Sequence, residues 1–184
     1  MESLEPLKTI SSLVYLIGYR CTGKSTTGQL LATLMGFDFL DTDRVIEARF
    51  KTSLKEMIHQ RGWEYFREKE KQVLLDTGHL SNTIVATGGG IVLDPENRKF
   101  IQTHGFCAWL YADGTTIVNR LLADENTCES RPRFSQDCLT LETQKTLALR
   151  TPLYRELSQI KIDTTTHSPP EAASMIKRRI SHVR

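Results

Sequence analysis

The sequence has no hydrophobic run of the length that a membrane-spanning helix requires. Such a helix needs about 20 predominantly apolar residues, whereas the first apolar segment is confined to Leu13–Ile17. The residues before it include Glu2, Glu5 and Pro6, which do not fit the apolar stretch of a secretory signal. We therefore predict no membrane partner and a cytoplasmic location.

Cysteine and histidine are few and scattered. The 4 cysteines (Cys21, Cys107, Cys128 and Cys138) include no CxxC pair, and the 5 histidines form no cluster. This spacing matches no zinc motif and favours reduced thiols. Charge is nearly balanced as well, because 24 Lys and Arg against 22 Asp and Glu leave a formal net charge of +2, too small to indicate nucleic-acid binding. We predict a monomer whose partners are small molecules.

Short apolar runs that alternate with helical patterns predict the fold class. A single domain spanning residues 1–184 is expected, because this length suits one hydrophobic core. The alternation favours an α/β fold of three layers, with a mainly parallel five-stranded sheet and helices on both faces. The predicted strands are Leu13–Ile17, Phe37–Leu40, Thr83–Thr87, Ala108–Tyr111 and Ile160–Ile162. The predicted helices are Lys24–Met35, one from Arg44, one capped by Ser53, Ile117–Leu122, Glu142–Arg150 with an interruption at Pro152, and one from Pro169.

The segment Gly18–Ser25 fits the pattern GxxxxGK[ST], and it lies between a predicted strand and a predicted helix. Its glycines let backbone N–H groups converge on phosphate oxygens, and the helix N-terminus adds a favourable dipole. Lys24 can reach the β- and γ-phosphates of ATP, and the Ser25 hydroxyl can bind Mg²⁺. The predicted nucleotide-binding residues here are Cys21, Thr22, Gly23, Lys24, Ser25 and Thr26. Because the sequence has no DxxG and no NKxD, a GTPase is excluded, and small-molecule and nucleotide kinases remain.

Polar residues at the predicted strand ends and on one helix are candidates for binding an acceptor. Asp41 and Asp43 follow the second strand, and their spacing places both side chains on one side of a strand-like backbone; a pair capping the following helix is the alternative. Arg67 and Arg150 offer planar forks for a carboxylate, although an arginine on a helix commonly faces solvent. Gly88–Gly90 follow a buried strand and allow a ligand to approach the backbone closely.

These segments, in order and spacing, resemble the shikimate kinase family from about residue 13 to 169. The motifs that carry the resemblance are Gly18–Ser25, Asp41-x-Asp43, Phe66-Arg67 with Glu70, Gly88-Gly89-Gly90, Arg131-Pro132 and Arg150-x-Pro152-Leu153-Tyr154. The resemblance implies a P-loop fold whose lid covers about residues 123–137. It also implies transfer of the γ-phosphate of ATP to the 3-hydroxyl of shikimate, a step in aromatic amino-acid biosynthesis.

The resemblance also implies a role for each residue. Asp43 would contact the acceptor hydroxyl and act as base, and Asp41 would support Mg²⁺ through water. Arg67 and Arg150 would hold the acceptor carboxylate, with the segment Gly88–Gly90 touching the acceptor chiefly at Gly89. Arg131, in the lid, would act on the transferring phosphoryl group, with Arg133 as a possible substitute. Arg120 and His167 would flank adenine.

Cys21 departs from the family pattern, because a glycine usually stands at this position of the loop. If the position requires a positive φ, Cys21 carries a strain of about 1–2 kcal/mol. Three rival functions remain at this stage: a gluconate-type sugar-acid kinase, a nucleoside monophosphate kinase, and a nucleotide-binding regulator without catalysis. The presence of Lys24, Asp43 and Arg131 argues against the last of these.

Overall fold

The computed structural model describes residues 13–123 and 136–182, without the side chains of residues 136 and 137. In chain order the elements are β1 (Leu13–Ile17), α1 (Lys24–Met35), β2 (Asp38–Asp41), α2 (Thr42–Phe50), α3 (Leu54–Asp76), β3 (Thr83–Ala86), α4 (Pro95–His104), β4 (Phe106–Tyr111), α5 (Gly114–Ala123), α6 (Gln136–Leu157), β5 (Ile160–Asp163) and α7 (Pro169–Ser181). Two 3-10 turns lie at Thr77–His79 and Ile91–Leu93. None of these described helices is long and apolar enough to cross a membrane.

The strands form one sheet in the order β2-β3-β1-β4-β5, and every pairing is parallel. Side chains of the central strand β1 alternate between the two faces, as strand geometry requires. Leu13, Tyr15 and Ile17 pack in a core with residues of α3, α4 and α6, whereas Val14 and Leu16 pack in a second core with residues of α1 and α7. The predicted three-layer α/β fold with a five-stranded parallel sheet is therefore confirmed.

The strand order also locates the site. After β3, the chain crosses β1 and enters β4 on its other side. Ligands of open α/β sheets bind at such a reversal, outside the carboxyl ends of the strands. The glycine-containing loop after β1, Asp43 after β2 and Gly88–Gly90 after β3 all lie at this edge.

Two helices differ from the sequence-based prediction. The expected interruption at Pro152 is wrong, because α6 continues from Gln136 to Leu157. Proline removes one backbone hydrogen bond, but Tyr154 and Leu157 beyond it are buried in the core, and their packing keeps the last turns helical. Helix α4 was not predicted, although Asp94 caps it by accepting from the Glu96 N–H at 2.8 Å and Pro95 begins it.

Helix α3 begins as predicted, with the Ser53 hydroxyl accepting from the Glu56 N–H at 3.1 Å. At Gly62 the backbone leaves the helical region (φ 83°, ψ 172°), which divides α3 into two segments. The first segment carries Leu54 and Ile58, and the second carries Arg67. Because of this kink, both segments reach the same cavity.

Candidate active site

The loop between β1 and α1 curls through residues of positive φ. These are Gly18 (φ 144°), Cys21 (φ 59°) and Gly23 (φ 82°). The conditional prediction for Cys21 thus applies: its backbone occupies the left-handed region at a cost of about 1–2 kcal/mol. The curl turns the loop back toward the start of α1, where Thr22 is buried and its hydroxyl donates to the Tyr19 carbonyl at 2.8 Å.

Lys24 opens α1 and folds back over the loop. Its Nζ donates to the carbonyls of Gly18 at 3.0 Å and Tyr19 at 2.7 Å. Burial lowers the pKa of Lys24, and the charges of Asp43 and Asp41 oppose that shift. An ammonium held among these carboxylates, at the positive end of a helix, suits phosphate oxygens.

Ser25 and Asp41 form a pair beside Lys24. The Ser25 hydroxyl donates to Asp41 Oδ2 at 2.6 Å. Asp41 also caps α2, because its Oδ1 accepts from the N–H groups of Asp43 at 3.1 Å and Arg44 at 3.4 Å. The capping alternative is therefore correct for Asp41, and it coexists with the contact to Ser25. Among the described residues, no group of three or more His, Cys, Asp or Glu side chains could hold a metal ion.

Asp43 is the second residue of α2 rather than part of a strand-like segment. The premise that Asp41 and Asp43 share one side of an extended backbone is therefore wrong. Asp43 still faces the cavity described below, and its Oδ1 is shielded from solvent with no hydrogen-bond partner among the described residues. Burial, together with the charges of Asp41 and Glu70, raises the pKa of Asp43 to about 6, against the opposing effect of Lys24.

Arg67 is held by a buried carboxylate. Its Nη1 donates to Glu70 Oε2 at 2.5 Å, and Glu70 is 1% exposed. The guanidinium also lies over the ring of Trp63, with Cζ 5.3 Å from the centroid. Burial raises the pKa of Glu70, and the charge of Arg67 opposes that rise. Glu70 thus orients Arg67 from one helical turn away.

Arg150 and Tyr154 of α6 both contact the glycine segment after β3. Arg150 Nη1 donates to the Gly89 carbonyl at 3.1 Å, and the Tyr154 hydroxyl donates to the same oxygen at 2.5 Å. Burial raises the pKa of Tyr154 to about 12, so its hydroxyl is neutral at physiological pH. These bonds fix α6 against the sheet edge. The Nε atom of Arg150 has no hydrogen-bond partner among the described residues.

One cavity of about 320 Å³ brings most of these acceptor-side residues together. Residues predicted from the sequence line it: Asp43, Arg67, Gly88, Gly89, Gly90 and Arg150. Further lining residues that the sequence analysis did not assign are Tyr19, Arg20, Leu54, Ile58, Trp63, Thr146 and Glu142. Among these, only Arg20 carried a signal, because it is a cation within the predicted phosphate loop.

Arg120 contacts the phosphate loop, whereas His167 lies in the loop after β5. Arg120 donates from Nη1 to the Cys21 carbonyl at 3.2 Å and from Nη2 to the Thr164 carbonyl at 2.6 Å. His167 contacts the Asp163 carbonyl through Nδ1 at 2.8 Å, in the loop after β5. Arg120 therefore joins the loop after β1 to the loop after β5. Arg131, Arg133 and almost all of the predicted lid lie outside the described residues.

The chain is similar to known proteins in both sequence and fold. The sequence model of the family described as shikimate kinase matches residues 20–181. Shikimate kinase of Syntrophus aciditrophicus is 38% identical over 93% of this chain and 92% of its own length. Shikimate kinase 2 of Yersinia enterocolitica is 35% identical over 88% of this chain and 91% of its own. The solved structure of shikimate kinase from Acinetobacter baumannii in complex with shikimate superposes with a TM-score of 0.86, at 29% identity and 96% coverage of both chains. The chain belongs to the shikimate kinase family.

Proposed function

We propose that this protein transfers the γ-phosphoryl group of ATP to the 3-hydroxyl of shikimate, producing shikimate 3-phosphate and ADP. The observation that carries the proposal is one cavity in which a carboxylate of raised pKa, Asp43, and two arginines, Arg67 and Arg150, lie beside the phosphate loop. Membership of the shikimate kinase family supports the same acceptor. A shikimate-bound relative with nearly complete structural overlap supports it further.

The phosphate loop binds the donor in this proposal. Backbone N–H groups of residues 21–26 surround the phosphates, and Lys24 exchanges its contacts with the loop carbonyls for phosphate oxygens. Ser25 would hold Mg²⁺ and Asp41 would support it through water, which fits two oxygen-bearing side chains that lie 2.6 Å apart beside the loop. When bound, the metal neutralises charge on the phosphates. Arg120 and His167 remain the predicted contacts to adenine, and Arg131 the predicted lid residue.

On the acceptor side, Arg67 and Arg150 bind the carboxylate, and the segment Gly88–Gly90 brings backbone groups close to the ring. Asp43 orients the attacking hydroxyl and accepts its proton. The hydroxyl oxygen forms the new bond to phosphorus while the bond from phosphorus to the departing ADP oxygen breaks. Because little covalent chemistry falls to the protein, positioning and electrostatic stabilisation supply most of the rate.

The test is ADP release from Mg·ATP in a coupled assay, with shikimate, gluconate, AMP and no acceptor measured in parallel. We expect turnover with shikimate alone. Turnover with gluconate or AMP would identify a rival kinase, and ATP binding without any turnover would identify a regulator. Gel filtration and cell fractionation test the accompanying proposals of a monomer and a cytoplasmic location.

The pKa of Asp43 predicts the acid limb of the pH profile. Because only the ionised carboxylate can accept a proton, kcat/KM for the acceptor should rise with pH and level off above about pH 6. Below that pH it should fall about tenfold per unit. The measurement is kcat/KM at saturating Mg·ATP between pH 5 and 8. A flat profile down to pH 5 would contradict a base whose pKa is about 6.

A further inference from the structure

Arg20 is a side chain of the phosphate loop that lines the acceptor cavity. Its Nε and Nη2 atoms are shielded from solvent and have no hydrogen-bond partner within residues 13–123 and 136–182. It forms an ion pair with Glu142 of α6, but the distance of 3.7 Å between Nη2 and Oε1 is too long for a hydrogen bond. A charged donor that is shielded from water and makes no hydrogen bond is costly, so an acceptor oxygen that took these hydrogen bonds would remove that cost.

The two other arginines of the cavity differ from Arg20. Arg67 donates to Glu70, and Arg150 donates to the Gly89 carbonyl. These bonds set the position of each guanidinium relative to the protein. Within the part of the chain that the structure describes, Arg20 is instead held by the weak ion pair and by the ring of Tyr19, whose centroid lies 5.6 Å from its Cζ. Of the three, Arg20 therefore has the most hydrogen-bonding capacity left for a ligand.

The backbone of Arg20 lies where the donor and acceptor segments meet. A Cβ added to Gly89 would be 3.2 Å from the Gly18 carbonyl oxygen and 3.4 Å from the Arg20 nitrogen. The glycine segment after β3 thus packs directly on the phosphate loop. From this junction, the side chain of Arg20 extends into the cavity that Asp43 shares.

We propose that Arg20 is a specificity-determining residue for the acceptor. Its guanidinium donates hydrogen bonds to an oxygen of the bound hydroxylated carboxylic acid. The inference rests on the proposed function, because it concerns the same acceptor. Glu142 competes with the acceptor for Arg20, since its carboxylate faces the same guanidinium. The loop that binds ATP would thereby also contribute a contact to the acceptor.

The test is the KM for shikimate and the KM for ATP of Arg20→Met, Arg20→Lys and Glu142→Gln. Losing a hydrogen bond from a charged donor should raise the KM for shikimate on the order of 10- to 100-fold in Arg20→Met, while the KM for ATP changes less than about twofold. Arg20→Lys should recover part of the loss, because the charge returns without the planar fork. Glu142→Gln should lower the KM for shikimate. Arg178→Met, which removes an exposed arginine of α7, is the matched control and should leave both constants unchanged.

Two outcomes would overturn the proposal. If Arg20→Met and Glu142→Gln raise the KM for shikimate equally and lower the melting temperature equally, the pair only ties α6 to the loop. If Arg20→Met changes mainly the KM for ATP, Arg20 serves the nucleotide. Parallel assays with the methyl ester of shikimate locate the contact: a penalty confined to shikimate places it on the carboxylate, and an equal penalty places it on a hydroxyl. Failure of the proposed function is separate, because the unmodified protein would then not turn over shikimate.

Discussion

Replacing Asp43 by Asn should nearly abolish phosphoryl transfer and at the same time stabilise the fold. Losing the base should lower kcat by about 10²- to 10⁴-fold. The stabilising effect follows from linkage, because the folded-state pKa of about 6 lies above the usual value of 3.8. The ionised carboxylate therefore destabilises the fold above pH 6, and the neutral amide should raise the free energy of unfolding at pH 8 by about 1–2 kcal/mol.

That gain should shrink as the pH falls from 6 toward 3.8, where Asp43 is protonated in the folded protein. The measurements are kcat, calorimetric ATP binding, and urea unfolding at pH 8 and pH 5. Asp38→Asn is the matched control, because Asp38 is an exposed carboxylate of β2 outside the cavity and its replacement should leave activity unchanged. If Asp43→Asn keeps its turnover, Asp43 is not the base. If the variant is less stable than the unmodified protein at pH 8, the ionised Asp43 does not destabilise the fold.

Replacing Gly90 by Ala should impair acceptor binding without affecting the nucleotide. A Cβ at this position would lie 2.5 Å from both Cζ and Nη1 of Arg67. Because these atoms end a flexible side chain, the guanidinium should move rather than the backbone. The expected result is an increase in the KM for shikimate on the order of 10- to 100-fold with an unchanged KM for ATP, since a carboxylate contact depends on the position of the fork.

Steady-state kinetics measure both constants, and fluorescence of Trp63, which lines the cavity, reports acceptor binding directly. Gly114→Ala is the control, because its added Cβ would only reach ordinary contact with Leu147 at 3.8 Å. A normal KM for shikimate in Gly90→Ala would show that Arg67 does not bind the acceptor from its present position.

The local pattern of residues determined much of this protein without reference to its fold. The phosphate loop was predictable because its glycines, Lys24 and Ser25 lie within one short segment of the chain. Its conformation therefore depends on residues that are adjacent in sequence. The strands β1, β3 and β4 were predictable because each is a short, mostly apolar run. Helix α4 could have been found from Asp94 and Pro95. The family resemblance supplied the candidates Asp43, Arg67 and Arg150, which periodicity alone did not distinguish from capping or solvent-facing residues.

Only the tertiary structure decided how these candidates act together. That Pro152 stays within a helix depends on the burial of Tyr154 and Leu157, which local propensity does not contain. Asp43 and Glu70 are far apart along the chain, yet packing places both beside Gly88, where desolvation and mutual repulsion raise the pKa of Asp43. The cavity-facing role of Arg20 likewise depends on α6 bringing Glu142 to the phosphate loop. Sequence determines the short-range elements because their interactions are local, whereas burial and long-range charge arise only when the sheet edge assembles.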